Sequence, residues 1–167
     1  MIQMTSQEFL VEASQIEVII MRGIPGSGKS SLVARLQATY GDESAVFSAD
    51  ANRIIFNDGA YIYKPEETAK AHGECLRDYT EALVLGEVCP IVDNTNTSSL
   101  EIAPYAALAI AFDRPFQIVT VECDPEIAAA RNQHAVPRKK VMDMHERLVY
   151  HNTRMTQWKD HMVFIKD

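Results

Sequence analysis

The chain has 167 residues, 47% of them hydrophobic and 23% charged, which fits one globular domain and excludes a disordered chain. Sixteen basic and 23 acidic residues leave a net charge of −7, which excludes a protein that coats long nucleic acid through charge alone. Residues 1–130 hold 8 Lys/Arg and 19 Asp/Glu, whereas residues 131–167 hold 8 and 4, so a mobile anion is drawn toward the C-terminal quarter.

The opening segment, Met1–Gln15, is mixed in character and reads as a short helix. Glu17–Arg22 is a compact apolar run of the kind that forms a buried parallel strand. A glycine-rich turn, Gly23–Ser30, follows, and then a helical pattern with Leu32, Val33 and Leu36 on one face, ended by Gly41-Asp42. Ala45–Ser48 is a second short strand. Phe56–Tyr63 carries the turn signal Asn57-Asp58-Gly59 and reads as an exposed loop or small hairpin. Pro65 with Glu66 and Glu67 starts a helix that runs to about Gly86. Pro90–Asp93 is the third strand. Ser98, Ser99 and Glu101 open a helix that contains Pro104 and ends near Phe112. Phe116–Glu122 is the fourth strand, and Asp124-Pro125 caps the next helix. Pro137 begins another, with Val141, Met144, Leu148 and Val149 on its inner face, and Met162–Ile165 is a terminal fifth strand.

Strands alternating with helices predict one α/β domain over 1–167, a five-stranded parallel sheet with helices on both faces. Ligands of such sheets sit beyond the carboxyl ends of the strands. Three scattered cysteines, Cys75, Cys89 and Cys123, lack metal-ligand spacing and read as free thiols of a reducing cytosol. The longest strongly apolar stretch, Ile102–Phe112, is far below the ~20 residues that a bilayer requires. The expectation is a cytoplasmic protein without a membrane partner.

Gly23-Ile-Pro-Gly-Ser-Gly-Lys-Ser30 matches G-x-x-x-x-G-K-[ST] in full, between an apolar strand and a helix. Its glycines permit backbone angles that turn successive N–H groups into one concavity, and the helix N-terminus adds a positive dipole. Lys29 is placed to meet the β- and γ-phosphates, and Ser30 to ligate Mg²⁺. The guanine-reading pattern Asn-Lys-x-Asp is absent, which favours ATP. Asp50 follows the second strand and faces the same crevice, where it can take a proton from an attacking hydroxyl; as a helix N-cap it would do nothing chemical. Arg53 lies on the same side if that segment is helical. Ile91-Val-Asp93 has the shape of a Walker B strand, with Asp93 holding Mg²⁺ through water or Ser30. Asn94, Thr95 and Asn96 are short hydrogen-bonding residues at the crevice. His72, in the long helix, reads as a packing or supporting residue rather than a catalyst.

These segments resemble the polynucleotide 5′-hydroxyl kinase family of P-loop kinases, an AAA-type ATP-binding domain known from phage end-healing kinases. The likeness runs through Met21–Ser31, Phe47-Ser-Ala-Asp50, Ala71-His72, Val92-Asp-Asn-Thr-Asn96 and Ala130-Arg-Asn-Gln-His-Ala-Val-Pro137, and covers about residues 17–150. It implies a P-loop kinase fold, with ATP bound by Gly23, Pro25, Gly26, Ser27, Gly28, Lys29, Ser30 and Ser31, and Mg²⁺ by Ser30 and Asp93. It implies that Asp50 is the general base, that Arg53 contacts the acceptor side, and that Thr95 and Asn96 lie along the acceptor pocket. Arg131 belongs to a lid over about residues 131–140 that closes on the ATP phosphates. The phage lid is longer and carries a further arginine, for which Arg138 or Lys139 would substitute here. Ala51 stands where many relatives have a second acidic residue, and Ala135 where a glycine is usual. The basic run Arg131, Arg138, Lys139, Lys140, Arg147 and Arg154, opposed by Asp143 and Glu146, suits neutralisation of charge in phosphoryl transfer.

The expected function is Mg-ATP-dependent phosphorylation of a polynucleotide hydroxyl by short contact with DNA or RNA. The acceptor is a 5′-hydroxyl end or the hydroxymethyl group of 5-hydroxymethyluracil in DNA. A small-molecule or nucleoside kinase, and an ATP-binding switch module without an acceptor, are the alternatives.

Overall fold

A computed structural model describes residues 2–13, 18–49, 68–86, 88–132 and 136–166. Its sheet is built from β1 (Ile2–Met4), β2 (Val18–Arg22), β3 (Ser44–Phe47), β4 (Cys89–Val92), β5 (Phe116–Val121) and β6 (Met162–Ile165). The strands pair in the order β1-β6-β5-β2-β4-β3, all parallel. Every residue of β2 is buried, because helices cover both faces and leave the central strand no solvent side. The order reverses on either side of β2, which places a crevice at its carboxyl end.

Alternate residues of each strand feed two cores. Val18, Ile20, Val92, Ile118 and Phe164 pack against α3 (Thr68–Leu85) and α4 (Ser99–Ala111). Ile19, Met21, Ile91, Val119 and Val163 pack against α1 (Ser6–Glu12) and α2 (Lys29–Tyr40). A third, smaller cluster joins Ile24 of the glycine-rich turn to Ala128 of α5 (Pro125–Arg131) and Val141 of α6 (Arg138–Asn152). The turn is therefore docked on the two C-terminal helices as well as on the sheet.

Local signals account for the element ends. Ser98 and Glu101 form a capping box at the start of α4, Asp124 caps α5 ahead of Pro125, and Gly41 closes α2 at φ 57°. Pro104 falls in the second turn of α4, beyond the four N-terminal N–H groups that lack helical acceptors, so it withholds one intrahelical bond, that to the Leu100 carbonyl.

Two expectations need correction. The sheet has six strands among the described residues, not five: the N-terminal segment splits into β1 and α1, with Thr5 and Glu8 forming a capping box between them. Three residues are too few to carry a strand pattern, and β1 exists because Ile2–Met4 register against Val163–Ile165 at the open edge of β6. Val149 is 49% exposed; the inner stripe of α6 is Val141, Met144 and Leu148, spaced three and four apart. His72 lies at the exposed surface of α3. The loop read over Phe56–Tyr63 and the helix start at Pro65 lie outside the described residues.

Candidate functional site

Beyond β2 the backbone turns through Gly23, Gly26 and Gly28 at φ 149°, 81° and 101°, a region that side chains with a Cβ rarely enter. Gly28 is the N-cap of α2, and the helix has neither a side-chain cap nor an acidic residue in its first turn. Its positive end faces the crevice. Gly26 lies against α5, where a Cβ would sit 2.0 Å from the Ala128 carbonyl oxygen. Pro25 lies within this turn, and Ser31 in the first turn of α2.

Lys29 is 8% exposed. Its Nζ donates to the carbonyls of Gly23 (2.9 Å) and Ile24 (3.0 Å), so the ammonium is held across the turn. Ser27 Oγ is buried and lacks a hydrogen-bond partner among the described residues. A buried hydroxyl of that kind calls for a partner from outside the protein. The concave backbone, the anchored ammonium, the uncapped helix and the orphan hydroxyl together fit a bound polyphosphate.

Ser30 Oγ donates to Asp93 Oδ2 at 3.3 Å. This brings the first turn of α2 beside the carboxyl end of β4, and the Asp93 N–H is itself fixed by the Phe47 carbonyl (2.9 Å). Hydroxyl and carboxylate are the hard oxygen donors that Mg²⁺ accepts beside a phosphate, so these two side chains fit the ion.

Residues 21–23 and 95–97 are joined at four points. The Gly23 N–H donates to the Thr95 carbonyl (3.0 Å). Asn96 Nδ2 donates to the Met21 carbonyl (2.8 Å). Arg22 Nε donates to the Asn96 carbonyl (2.9 Å), and Nη2 to that of Thr97 (3.3 Å). Arg22 Nη1 further reaches Thr120 Oγ1 and Asn152 Oδ1. Arg22 is fully buried, and burial lowers its pKa to about 10; it remains a cation at neutral pH. Asn96 takes φ 43°, which an asparagine tolerates. Its amide is spent on the scaffold, whereas Thr95 stays half-buried at the crevice.

Arg131 ends α5, exposed, three residues beyond the Ala128 that touches the glycine turn. Arg138 forms a two-pronged pair with Glu126, which raises its pKa and ties the start of α6 to α5. Arg147 Nε donates to Thr97 Oγ1 (2.7 Å), with Glu101 beside it. Asp50, Arg53 and part of the lid segment, residues 133–135, lie outside the described residues.

The structure thus brings together the glycine turn, Lys29, Ser30, Asp93 and Thr95. It also reveals parts that sequence reasoning missed: the buried Arg22, the Thr97–Arg147 contact and the side chain of Asn94. The available signal for Arg22 was a charged residue closing an otherwise apolar strand, a position where a guanidinium must find partners.

A family model described as an AAA domain matches residues 18–151. NEDD4-binding protein 2 of Homo sapiens is 29% identical over 136 residues, which cover 77% of this chain and 7% of that protein. The chain therefore spans a small part of its curated relative. Among solved structures, the Pnkp1/Rnl/Hen1 RNA repair complex contains a chain that superposes with a TM-score of 0.67 at 18% identity, covering 83% of this chain and 46% of the other. A gluconokinase from Sinorhizobium meliloti gives 0.57 at 17% identity over 88% and 80%. The complex of AvrRxo1-ORF1 with ORF2 and ATP gives 0.61 at 18% identity over 90% and 54%. At these identities the likeness shows the fold, an α/β P-loop kinase fold. Among the described residues no helix is long and apolar enough to cross a membrane.

Proposed function

Because this chain belongs to that AAA-domain family and has the P-loop kinase fold, we propose that it transfers the γ-phosphoryl group of Mg-ATP to a hydroxyl of a polynucleotide. The observation that carries the reading is the Ser30–Asp93 contact beneath a glycine turn whose Lys29 is already anchored. A hydroxyl–carboxylate pair at the helix N-terminus suits the Mg²⁺ that accompanies a nucleoside triphosphate. The polynucleotide acceptor is supported by the Asp93-Asn-Thr-Asn96 and Arg131–Pro137 segments, which resemble end-healing kinases, and by a fold neighbour from an RNA repair complex.

In this reading the glycine turn and Lys29 hold the β- and γ-phosphates, while Ser30 and Asp93 hold the metal. Mg²⁺ would supply neutralisation of phosphate charge. Asp50 takes the proton of the acceptor hydroxyl as its oxygen bonds to the γ-phosphorus. The bond from that phosphorus to the β–γ bridging oxygen breaks, and ADP leaves. Arg53 and Arg131 neutralise charge on the transferring group. Thr95 lines the acceptor pocket, and Asn96 contributes by holding the loop on which Thr95 sits.

The test is transfer of labelled γ-phosphate across a panel: 5′-hydroxyl DNA and RNA, 5′-phosphorylated DNA, the same DNA with internal 5-hydroxymethyluracil, and free nucleosides. Label on a polynucleotide is expected, and loss of that label in Asp50→Asn with ATP binding kept. Label on nucleosides alone would make this a small-molecule kinase. Hydrolysis that no hydroxyl diverts would overturn the kinase reading.

A further inference from the structure

Asn94 is buried at the carboxyl end of β4, next to the metal-site carboxylate, yet its side chain turns away from the crevice. Its Oδ1 accepts the N–H of Ala49 at 2.9 Å. Its Nδ2 lies 3.3 Å from Tyr105 Oη and 3.5 Å from Cys75 Sγ. Tyr105 Oη also reaches the Cys75 thiol (3.3 Å), and the Tyr105 carbonyl accepts from Tyr79 Oη (3.0 Å). These groups sit inside the larger apolar core, where Cys75, Tyr79 and Tyr105 are all buried. A polar cluster in such a place is retained at a cost unless it fixes something.

What it fixes is Ala49. Beyond Phe47 strand β3 has ended, and its ladder to β4 with it. Ala49 is 1% exposed, so its N–H cannot turn to water. The Asn94 amide oxygen replaces the missing ladder partner. The next residue in the chain is Asp50. We infer that Asn94 is a positioning residue for the proposed reaction: it clasps the backbone at Ala49, with α3 and α4 bracing it through Cys75 and Tyr105, and so fixes the point from which the chain enters the residue proposed as the base, Asp50. Resting on the reaction proposed above, it assigns that site a supporting residue that never touches substrate.

The tests are Asn94→Ala and the milder Tyr105→Phe, which keeps the Ala49 contact and removes one brace. Asn94→Ala is expected to lower kcat roughly 10–100-fold, the effect of a misplacement near 1 Å, with ATP affinity unchanged. Tyr105→Phe should lower kcat several-fold in the same pattern. Equal kcat in wild type and Asn94→Ala, while Asp50→Asn is inactive, would overturn the clasp and leave the reaction standing. So would a parallel loss of ATP affinity and kcat in both variants, the mark of a general packing defect. Hydrogen exchange at the Ala49 amide reads the clasp without any acceptor. Strong protection in wild type, lost in Asn94→Ala, is expected; fast exchange in wild type would overturn it whatever reaction the protein performs.

Discussion

Gly26 and Gly28 are alike in sequence and unlike in what they forbid. At Gly28 a Cβ would meet nothing within 4 Å, but the residue sits at φ 101°. Alanine there is opposed by backbone strain alone, about 1–2 kcal/mol. At Gly26 the same kind of strain, at φ 81°, is joined by a collision with the Ala128 carbonyl 2.0 Å away. That oxygen belongs to the backbone of α5 and cannot rotate aside, so overpacking adds about 1–3 kcal/mol. Thermal melts should rank Gly26→Ala below Gly28→Ala and both below wild type. Gly26→Ala should also weaken ATP binding at least tenfold, since α5 and the turn must part. Equal melting points would mean that the turn and α5 separate freely. Lys29 belongs to the same scale. Its ammonium is already held by two carbonyls, so Lys29→Met should abolish ATP binding and, by stranding those acceptors, also cost about 1–3 kcal/mol of stability, as read by titration and urea unfolding.

At the scale of elements, the joint between residues 21–23 and 95–97 holds the glycine turn in register with the carboxyl end of β4. Arg22 is its centre. A buried cation that hydrogen-bonds neutral oxygens is costly to form, and removing it strands those oxygens without donors. Arg22→Met should therefore cost about 2–4 kcal/mol in urea unfolding. Arg22→Lys keeps the charge but loses the planar fork that serves several acceptors at once, and should recover less than half of that loss. Complete recovery would show that the charge matters and the geometry does not. The strands, helices and glycine turn were legible because their signals are local: β2 is apolar throughout, Ser98 and Asp124 are caps, and Gly41 is a stop. The Ser30–Asp93 meeting was legible because a strand end and a helix start converge by topology. Arg22, Asn94 and Thr97 were not, because their partners lie up to 130 residues away, as with Asn152, and no spacing rule reaches that far. Edge strand β1 was hidden for the same reason, its existence resting on β6.

For the whole molecule the governing quantity is the split in charge. Residues 1–130 carry 8 basic and 19 acidic groups, a net of −11, and residues 131–167 carry 8 and 4, a net of +4. A polynucleotide meets a net-negative body and a net-positive C-terminal stretch, four of whose eight cations lie on α6 and one on α5. Even there the cations are partly committed: Arg138 to Glu126, Arg147 to Thr97 and Glu101, and Arg154 against the Tyr150 ring at 3.6 Å. Few phosphates can then be neutralised at once. On a single strand each neutralised phosphate adds about −0.7 to the slope of log affinity against log salt. Two to four contacts give a slope between about −1.4 and −2.8. Measured as the salt dependence of oligonucleotide KM at saturating ATP, the slope should also level off once the strand exceeds a few nucleotides. A slope near −6 would mean that the acidic body binds many phosphates, and would move the acceptor path away from the α5–α6 side. Arg131→Ala should lower kcat without changing that slope, because a group aimed at the transferring phosphoryl is not counted among the strand's neutralised phosphates. A shallower slope in this variant would place Arg131 on the strand instead of on ATP.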